Sequence, residues 1–319
     1  MKLSTLTLAL AAAATLPAQA QNYPTRPIRV LVPSTPGGSV DTLARTIAPR
    51  LSEKWGQQVV VDNRAGAGGA IAGEMTAKAP PDGYTLMMGT IAATATNVSL
   101  QKTNYDPIRD FAPITLVATQ NLMLVIHPSV PARTVKELVA IAKAKPGQLS
   151  FASAGNGTGG HLSGELFKLL AGIDLLHIPY KGVAPALVDV VAGQVSMTFA
   201  SLISGAPHYR SGRLRALAVT GAKRSVALPE LATMQEAGVK GYESATWYGM
   251  LAPAGTPAEI VNKLNTEIVA ILKQPDIYER LSQEGAEPVG NTPQQFAAHI
   301  RSEIEKWRKV IRAAGIKAG

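Results

Sequence analysis

Short β-branched runs alternate with helical patterns along most of this chain. Residues 28–32 form such a run, and apolar residues at helical spacing follow at Val40, Leu43 and Ile47. Strands separated by helices predict an α/β fold with mostly parallel sheets flanked by helices. The predicted strands cover residues 28–32, 59–61, 84–88, 149–153, 175–179, 195–199, 214–220 and 245–252.

The length of the chain favours two lobes. At 319 residues it exceeds one average domain. The long apolar stretch of residues 111–126 could supply two strands, or one strand that crosses between lobes. We assign residues 21–120 and 245–319 to lobe 1 and residues 121–244 to lobe 2. A cleft between lobes is a common place for a small ligand to bind.

Two glycine-rich turns, at residues 33–39 and 153–160, each join a predicted strand to a predicted helix. Glycine lets several backbone N–H groups converge on one point. A helix N-terminus adds unpaired N–H donors and a partial positive charge. If both turns face one cleft, they can bind a carboxylate. The alternative is that both turns are tight connections of an ordinary α/β fold.

Other ligands match these turns less well. Gly155, Gly157 and Gly160 have the G-x-G-x-x-G spacing of dinucleotide sites, but the acidic Asp174 follows too early in the chain. Neither turn ends in the Gly-Lys-Ser/Thr of a phosphate-binding loop. Compact organic acids are therefore the best match, and no cofactor is expected.

The sequence carries no recognisable catalytic pattern. Its five histidines lack metal-binding spacing, it contains no cysteine, and no G-x-S-x-G motif occurs. The chain is therefore predicted to bind a solute and not to act as an enzyme. A periplasmic hydrolase is the alternative from another class, but it would need a nucleophile with a base in reach.

Charge and the N-terminus bear on partners and location. The chain has 31 Lys and Arg against 22 Asp and Glu, but these are scattered and only 5% of residues are aromatic, so no nucleic-acid partner is expected. A basic surface also concentrates small anions.

The N-terminus predicts a signal peptide cleaved after Ala20, and hence an exported protein. Its features are Lys2, the apolar residues 3–16 and the sequence Ala18-Gln19-Ala20.

Several side chains near the turns allow two interpretations each. Asp41 is a first-turn acid favoured by the helix dipole, and it could also orient a bound water or a ligand hydroxyl. His161 could contact an anion, or it could act as a cap. Tyr180 and Lys181 follow a strand end, where ligand-contacting loops lie, or they form a surface turn. Trp247 could form an aromatic wall over the ligand, or fill the hinge.

Short motifs in a fixed order give the chain a resemblance to a known family. The motifs are YPTRPI at 23–28, VP at 32–33 with PGG at 36–38 and Asp41, NRAGAGG at 63–69, YDP at 105–107 with DFAP at 110–113, ASAGNG at 152–157 with His161 and Leu162, PYKG at 179–182 and APAGTP at 252–257. The chain resembles the Bug-type periplasmic receptors of tripartite tricarboxylate transporters along essentially its whole mature length. The resemblance implies a two-lobe, type II periplasmic-binding fold and delivery of the ligand to membrane components of the transporter. It also implies that backbone groups and waters of the two turns grip a carboxylate.

The chain departs from the family pattern at two places. Ser34 stands where family members often carry Phe, and Ala200-Ser201 stands where many have Asp-Asn. The missing carboxylate disfavours an amino-acid ligand, whose ammonium group would pair with it. We therefore expect a dicarboxylate, a hydroxy acid or an aromatic acid, bound by a monomeric receptor.

The predicted ligand-binding residues come from both turns and from later strand ends. They are Thr35, Gly37, Gly38, Asp41, Thr90, Ala154, Gly155, Asn156, Gly157, Thr158, His161, Tyr180, Lys181, Ser201 and Trp247. No residue is assigned to a metal. A receptor that presents a carboxylate to a sensor, or to another class of transporter, remains an alternative.

Overall fold

The computed structural model describes residues 23–283, 285–313 and 315. The signal peptide predicted for residues 1–20 lies outside this range. The described chain alternates strands and helices, as its sequence pattern predicts. Its strands form a 10-stranded mixed sheet.

The first elements build one half of this sheet. They are β1 (Ile28–Val32), α1 (Ser39–Trp55), β2 (Val59–Asn63), α2 (Ala70–Ala77), β3 (Thr85–Thr90) and α3 (Asn97–Leu100). A 3₁₀ turn, Ala67–Gly69, precedes α2, and a π-helical turn, Ala92–Thr96, precedes α3. Strand β1 lies between β2 and β3 and is parallel to both.

A single strand of 16 residues, β4 (Phe111–Ile126), passes from this half of the sheet to the other. Its residues up to Asn121 pair with β9 (Ala245–Pro253), whereas residues 122–126 pair with β7 (Met197–Ser201). The long apolar stretch is thus one crossing strand and not two strands. Each half of the sheet therefore uses a different part of the same strand.

The residues between β4 and β9 build the second half. Their elements are α4 (Val135–Ala144), β5 (Ser150–Ser153), α5 (Gly159–Ala171), β6 (Leu176–Pro179), α6 (Val183–Val191), β7, α7 (Leu202–Arg210) and β8 (Arg215–Val219). Strand β5 is parallel to β6 and β7, while β4 is antiparallel to β7 and β8.

Strand β9 returns the chain to the first half, where it lies antiparallel to β3 and β4. The last elements are α8 (Ala258–Leu272), α9 (Pro275–Gln283), β10 (Ala286–Pro288) and α10 (Pro293–Ala313). The α/β class is confirmed. The expectation of mostly parallel sheets is corrected, because the crossing strand β4 and the return strand β9 pair antiparallel with their neighbours.

Apolar clusters lie on both faces of the sheet, which explains why the sequences of its strands are continuously apolar. In β1, Val30 and Val32 belong to one cluster and Leu31 to another. In β7, Phe199 and Ala200 likewise belong to different clusters. Neighbouring side chains of a strand point to opposite faces, so each half has a core on both sides of its sheet.

The C-terminal helix α10 buries an apolar stripe of residues three or four positions apart. The stripe consists of Phe296, Ile300, Ile304, Trp307 and Ile311. A capping box precedes the helix, since the Gln295 N–H donates to Thr292 Oγ1 at 3.2 Å and the Thr292 N–H donates to Gln295 Oε1 at 3.0 Å. The start of α8 has a different arrangement. Pro257 is the N-cap of α8, and the Thr256 hydroxyl donates to the Pro253 carbonyl oxygen at 2.7 Å.

Candidate ligand-binding site

A cavity of about 100 Å³ lies between the two halves of the sheet. It is lined by Pro33, Ser34, Gly38, Ser39, Val40, Gly66, Gly68, Gly69, Thr90, Ile91, Ala92, Leu122, Ala154, Thr158, Gly159, Gly160, Lys181, Val183, Thr198, Phe199, Ser201, Thr246 and Tyr248. Strands β1, β3, β5, β6 and β7 contribute residues at or just beyond their carboxyl ends. This is the edge at which open α/β sheets bind ligands.

Besides α7, which the lining residue Ser201 caps with its side chain, four helices of the described chain begin at this cavity. They are α1, α2, α5 and α6, which contribute Gly38, Gly69, Thr158 and Val183 to the lining. No described side chain caps any of the four. The first N–H groups of α1, α5 and α6 therefore remain available as donors, at the positive end of each helix dipole. At α2 the N–H groups of Gly69 and Ala70 already donate to the carbonyl oxygens of Gly66 and Ala67, so this helix start contributes its dipole and fewer free donors. The sequence predicted such starts for α1 and α5 but not for α2 and α6.

Asp41 holds the first turn and does not line the cavity. Its carboxylate accepts hydrogen bonds from the Gly37 N–H at 3.0 Å, from Arg45 Nε at 3.0 Å and from Asn63 Nδ2 at 2.9 Å. Burial acts to raise the pKa of Asp41, but these donors outweigh it and hold that pKa below its ordinary value. Asp41 therefore positions the Gly37 backbone, and its contact with a ligand stays a prediction.

His161 holds the second turn in the same way. It is buried, and its Nδ1 accepts the Gly157 N–H at 3.0 Å. Its ring stacks on His177 with the ring centroids 4.0 Å apart. Burial and the neighbouring His177 lower the pKa of His161 to about 3, and burial lowers the pKa of His177 to about 4. Both rings are therefore neutral at pH 7, and the hydrogen bond from Gly157 requires this of His161. His161 thus holds the turn that precedes α5, and its contact with a ligand stays a prediction.

The predicted contacts divide between the cavity lining and the turns behind it. Those that line the cavity are Gly38, Thr90, Ala154, Thr158, Lys181 and Ser201. Those that lie in the turns without lining it are Thr35, Gly37, Gly155, Asn156, Gly157 and Tyr180. The Tyr180 hydroxyl donates to Asp189 Oδ2 at 2.5 Å, which holds this side chain against α6. For the six residues that lie behind the lining, contact with a ligand stays a prediction.

Trp247, which the sequence analysis offers as an aromatic wall or as a filler of the hinge, does not line the cavity. Its side chain is buried, and its Nε1 donates to Glu303 of α10 at 2.9 Å. Its neighbours Thr246 and Tyr248 line the cavity instead. Because side chains alternate along a strand, an aromatic wall from β9 has to come from Tyr248. Both faces of β9 are buried, so hydropathy could not show which face meets the ligand.

The cavity combines donors with apolar walls, and none of its described lining residues is acidic. Lys181 is the single charged side chain among them. Ser39 is 4% exposed, and its hydroxyl has no hydrogen-bond partner among the described residues. Ile91, Leu122 and Phe199 supply apolar surface. Unpaired donors, one cation and no carboxylate together favour an anion with an apolar portion.

The two halves touch each other around the cavity. Thr96 Oγ1 in the first half donates to the Gly157 carbonyl oxygen in the second at 2.6 Å. A Cβ added to Gly68 would collide with the Asn156 carbonyl oxygen across the same boundary. The described arrangement is therefore a closed one, and the close approach of the two backbones requires glycine at position 68.

Fold and site together define the class of this protein. Two α/β halves are joined by crossing strands, and a cavity between them gathers helix N-termini from both. This is the arrangement of a bilobal solute-binding protein. None of the described helices has the length and apolar character needed to cross a membrane.

A family model described as the tripartite tricarboxylate transporter family receptor matches residues 43–316. The chain therefore belongs to this family, which confirms the resemblance drawn from its motifs. It is a periplasmic solute-binding receptor and not an enzyme, so the hydrolase alternative is set aside.

A relative and two solved structures are similar to the chain over nearly its whole length. Protein BugT of Bordetella pertussis (strain Tohama I) is 40% identical over 303 residues, which cover 94% of this chain and 93% of BugT. The structure of R. palustris Rpa4515 with adipate has a TM-score of 0.91 and 43% identity, and covers 93% of this chain and 100% of its own. MatC (Rpa3494) from Rhodopseudomonas palustris with bound malate has a TM-score of 0.86 and 32% identity, with coverages of 91% and 100%.

Proposed function

We propose that this receptor captures a small organic carboxylate without an amine and delivers it to the membrane components of a tripartite tricarboxylate transporter. The convergence of four uncapped helix N-termini on a cavity whose described lining has no acidic residue carries the proposal. A carboxylate accepts hydrogen bonds from such N–H groups and is stabilised by the positive helix ends. Bridging waters can complete the contacts at little cost in affinity.

The chemistry of the cavity narrows the ligand class. The ammonium group of an amino acid would find no acidic partner among the described lining residues. The end of β7, at Ala200 and Ser201, supplies no acidic residue either. The similar receptors Rpa4515 and MatC were solved with adipate and malate, two acids without an amine. A dicarboxylate, a hydroxy acid or an aromatic acid fits best.

The proposed binding residues are those that the cavity brings together. They are Gly38, Ser39, Thr90, Ala154, Thr158, Lys181, Ser201 and Tyr248. We propose that the two halves act as lobes that close on the ligand, with residues 21–120 and 245–319 in lobe 1 and residues 121–244 in lobe 2. The change of partner along β4, from β9 at Asn121 to β7 at Leu122, supports this division.

Calorimetry with matched acids tests the ligand class. We expect one-to-one binding of an amine-free acid from a panel of adipate, malate, succinate, glutarate and benzoate. Aspartate should bind at least about tenfold more weakly than succinate, and glutamate than glutarate, because the added ammonium stays unpaired, at a cost of about 1.4 kcal/mol or more. Tighter binding of either amino acid than of its amine-free match contradicts the proposal.

Uptake measurements test the membrane partner. In cells that carry the membrane components, deletion of this chain should abolish uptake of the acid identified by calorimetry, and its return should restore uptake. Uptake that persists without the chain, although the purified chain binds the acid, indicates a receptor for a sensor or for another class of transporter.

A further inference from the structure

Lys181 differs from the rest of the cavity lining because it carries a charge. It lies between β6 and α6, is exposed, and forms no ion pair with any described residue. Lys168 in the same half, by contrast, pairs with Glu165 at 3.1 Å. An unpaired ammonium group at a cavity without acidic lining attracts an anion.

The backbone next to Lys181 adds to this positive field. Gly182 is the N-cap of α6 and has a φ of 145°, a conformation that favours glycine. No described side chain caps α6, and its first residue, Val183, lines the cavity. The ammonium group and the positive end of the α6 dipole therefore act at the same edge of the cavity.

A second set of donors lies deeper in the cavity. Ser39, at the start of α1, is 4% exposed, and its hydroxyl has no partner among the described residues. The N–H groups that begin α1 and α5 are also free of side-chain caps. The buried Ser39 and the exposed Lys181 thus mark an inner and an outer electropositive position.

The supply of donors exceeds what one carboxylate can use. A carboxylate has two oxygens and about four acceptor positions. The cavity offers the starts of α1, α5 and α6, each with up to about four unpaired N–H groups, together with the Ser39 hydroxyl and the Lys181 ammonium group. The apolar side chains of Leu122 and Phe199 in the lining suit a methylene segment.

We infer that the ligand is an aliphatic dicarboxylate whose outer carboxylate pairs with Lys181, and that Lys181 sets a preference for dicarboxylates over monocarboxylates of the same length. This inference rests on the proposed carboxylate-binding function. The inner carboxylate is held by helix N-termini and Ser39. Lys181 is therefore a specificity-determining residue that acts on one end of the ligand.

The test compares acids that differ only at the outer end. Adipate and hexanoate share a six-carbon chain, as malate and 3-hydroxybutyrate share a four-carbon chain, with a methyl group in place of one carboxylate. The wild-type receptor should favour the dicarboxylate of the pair that it binds. Lys181→Met, which removes the charge and keeps an unbranched side chain, should weaken dicarboxylate binding about tenfold or more and monocarboxylate binding less than about threefold. Lys181→Arg should retain most of the preference.

Lys240→Met is the matched control. Lys240 is exposed and does not line the cavity, so its loss changes the net charge equally and should leave both affinities unchanged. Equal melting temperatures of the ligand-free variants show that all are folded. The inference is overturned if Lys181→Met weakens the binding of both acids of a pair equally, or of neither. It is also overturned if the wild-type receptor binds the monocarboxylate more tightly than its matched dicarboxylate. In each of these cases the proposed carboxylate-binding function stands. If no acid of the panel binds, the proposed function fails as well.

Discussion

Asp41 and His161 have matched roles in the two glycine turns. Each accepts the N–H of a glycine four positions earlier in the chain, Gly37 for Asp41 and Gly157 for His161. One acceptor is an ionised carboxylate and the other a neutral imidazole. In both turns the bonded N–H precedes the N-cap residue, so the side chain shapes the turn without using the N–H groups of the helix itself.

The pH dependence of stability tests the neutral state of His161. Its pKa is lowered from the ordinary 6.5 to about 3 by burial. As the pH falls below 6.5, the unfolded chain therefore binds more protons than the native chain, and stability falls. His161→Asn keeps an acceptor but cannot titrate, so its free energy of unfolding in urea should fall less steeply than that of the wild type toward pH 4. Equal slopes would contradict a buried neutral ring.

His161→Phe is the complementary variant. It keeps an aromatic ring beside His177 but leaves the buried Gly157 N–H without an acceptor. We expect a loss of about 1–3 kcal/mol in the free energy of unfolding at pH 7. We also expect weaker ligand binding, because the second turn loses its anchor. Full affinity in this variant would show that the turn keeps its shape unaided.

At the level of elements, the site is formed by the N-termini of helices. The sequence predicted two of these helix starts as anion-binding turns and missed two others. The starts of α1 and α5 are visible because a strand, a glycine-rich turn and a helix follow one another directly. The 3₁₀ turn Ala67–Gly69 intervenes before α2, which conceals its start. Before α6 a single glycine, Gly182, is enough to form the turn into the helix, because it adopts a φ of 145°. A pattern that searches for several glycines cannot find such a start.

The π-helical turn Ala92–Thr96 links the ligand to closure. Its first residue lines the cavity, and its last, Thr96, donates to the Gly157 carbonyl oxygen of the other half. A hydrogen bond made only in the closed form shifts the equilibrium toward that form. Thr96→Val should therefore speed ligand dissociation and weaken binding about fivefold, in line with about 1 kcal/mol for one hydrogen bond. Stopped-flow dissociation and calorimetry measure both quantities.

Thr94→Val is the matched control for this variant. The Thr94 hydroxyl donates to the Thr90 carbonyl oxygen at 2.7 Å, within the same half. Its loss should lower the melting temperature of the ligand-free receptor and leave the dissociation rate nearly unchanged. Thr96→Val should show the reverse. Similar dissociation rates in the two variants would rule out a closing role for Thr96.

At the level of the whole molecule, local patterns predicted elements but not their partners. The α/β class follows from the alternation of short runs, yet the antiparallel pairing of β4 and β9 joins residues more than a hundred positions apart in the chain. Pro113 lies within β4 at a point where the register against β9 shifts, a place where a strand tolerates proline. Burial on both faces likewise hid the orientation of Trp247 and Tyr248.

Closure of the two halves can be measured directly, because the chain contains no cysteine. Cysteines at the exposed Lys102 in the first half and Lys223 in the second provide unique sites for spin labels. We expect the distance between the labels to change when saturating ligand selects the closed form. A pair placed within the first half, at Lys102 and Lys54, should show no change. An unchanged distance across the halves would mean that the ligand enters a cleft that is already closed.

The pairing of β4 with β9 also has a consequence for the ancestry and engineering of such receptors. Asn121 and Ala245 are opposite each other in neighbouring strands, so the chain leaves and re-enters the first half at adjacent points. Topologically, the second half is an insertion whose two ends meet. Recombination between relatives at these two junctions can therefore exchange Lys181 and the second turn as one unit. In the hydrophobic core around β1 and α10, the residue exchanged with that unit is Leu162 of α5.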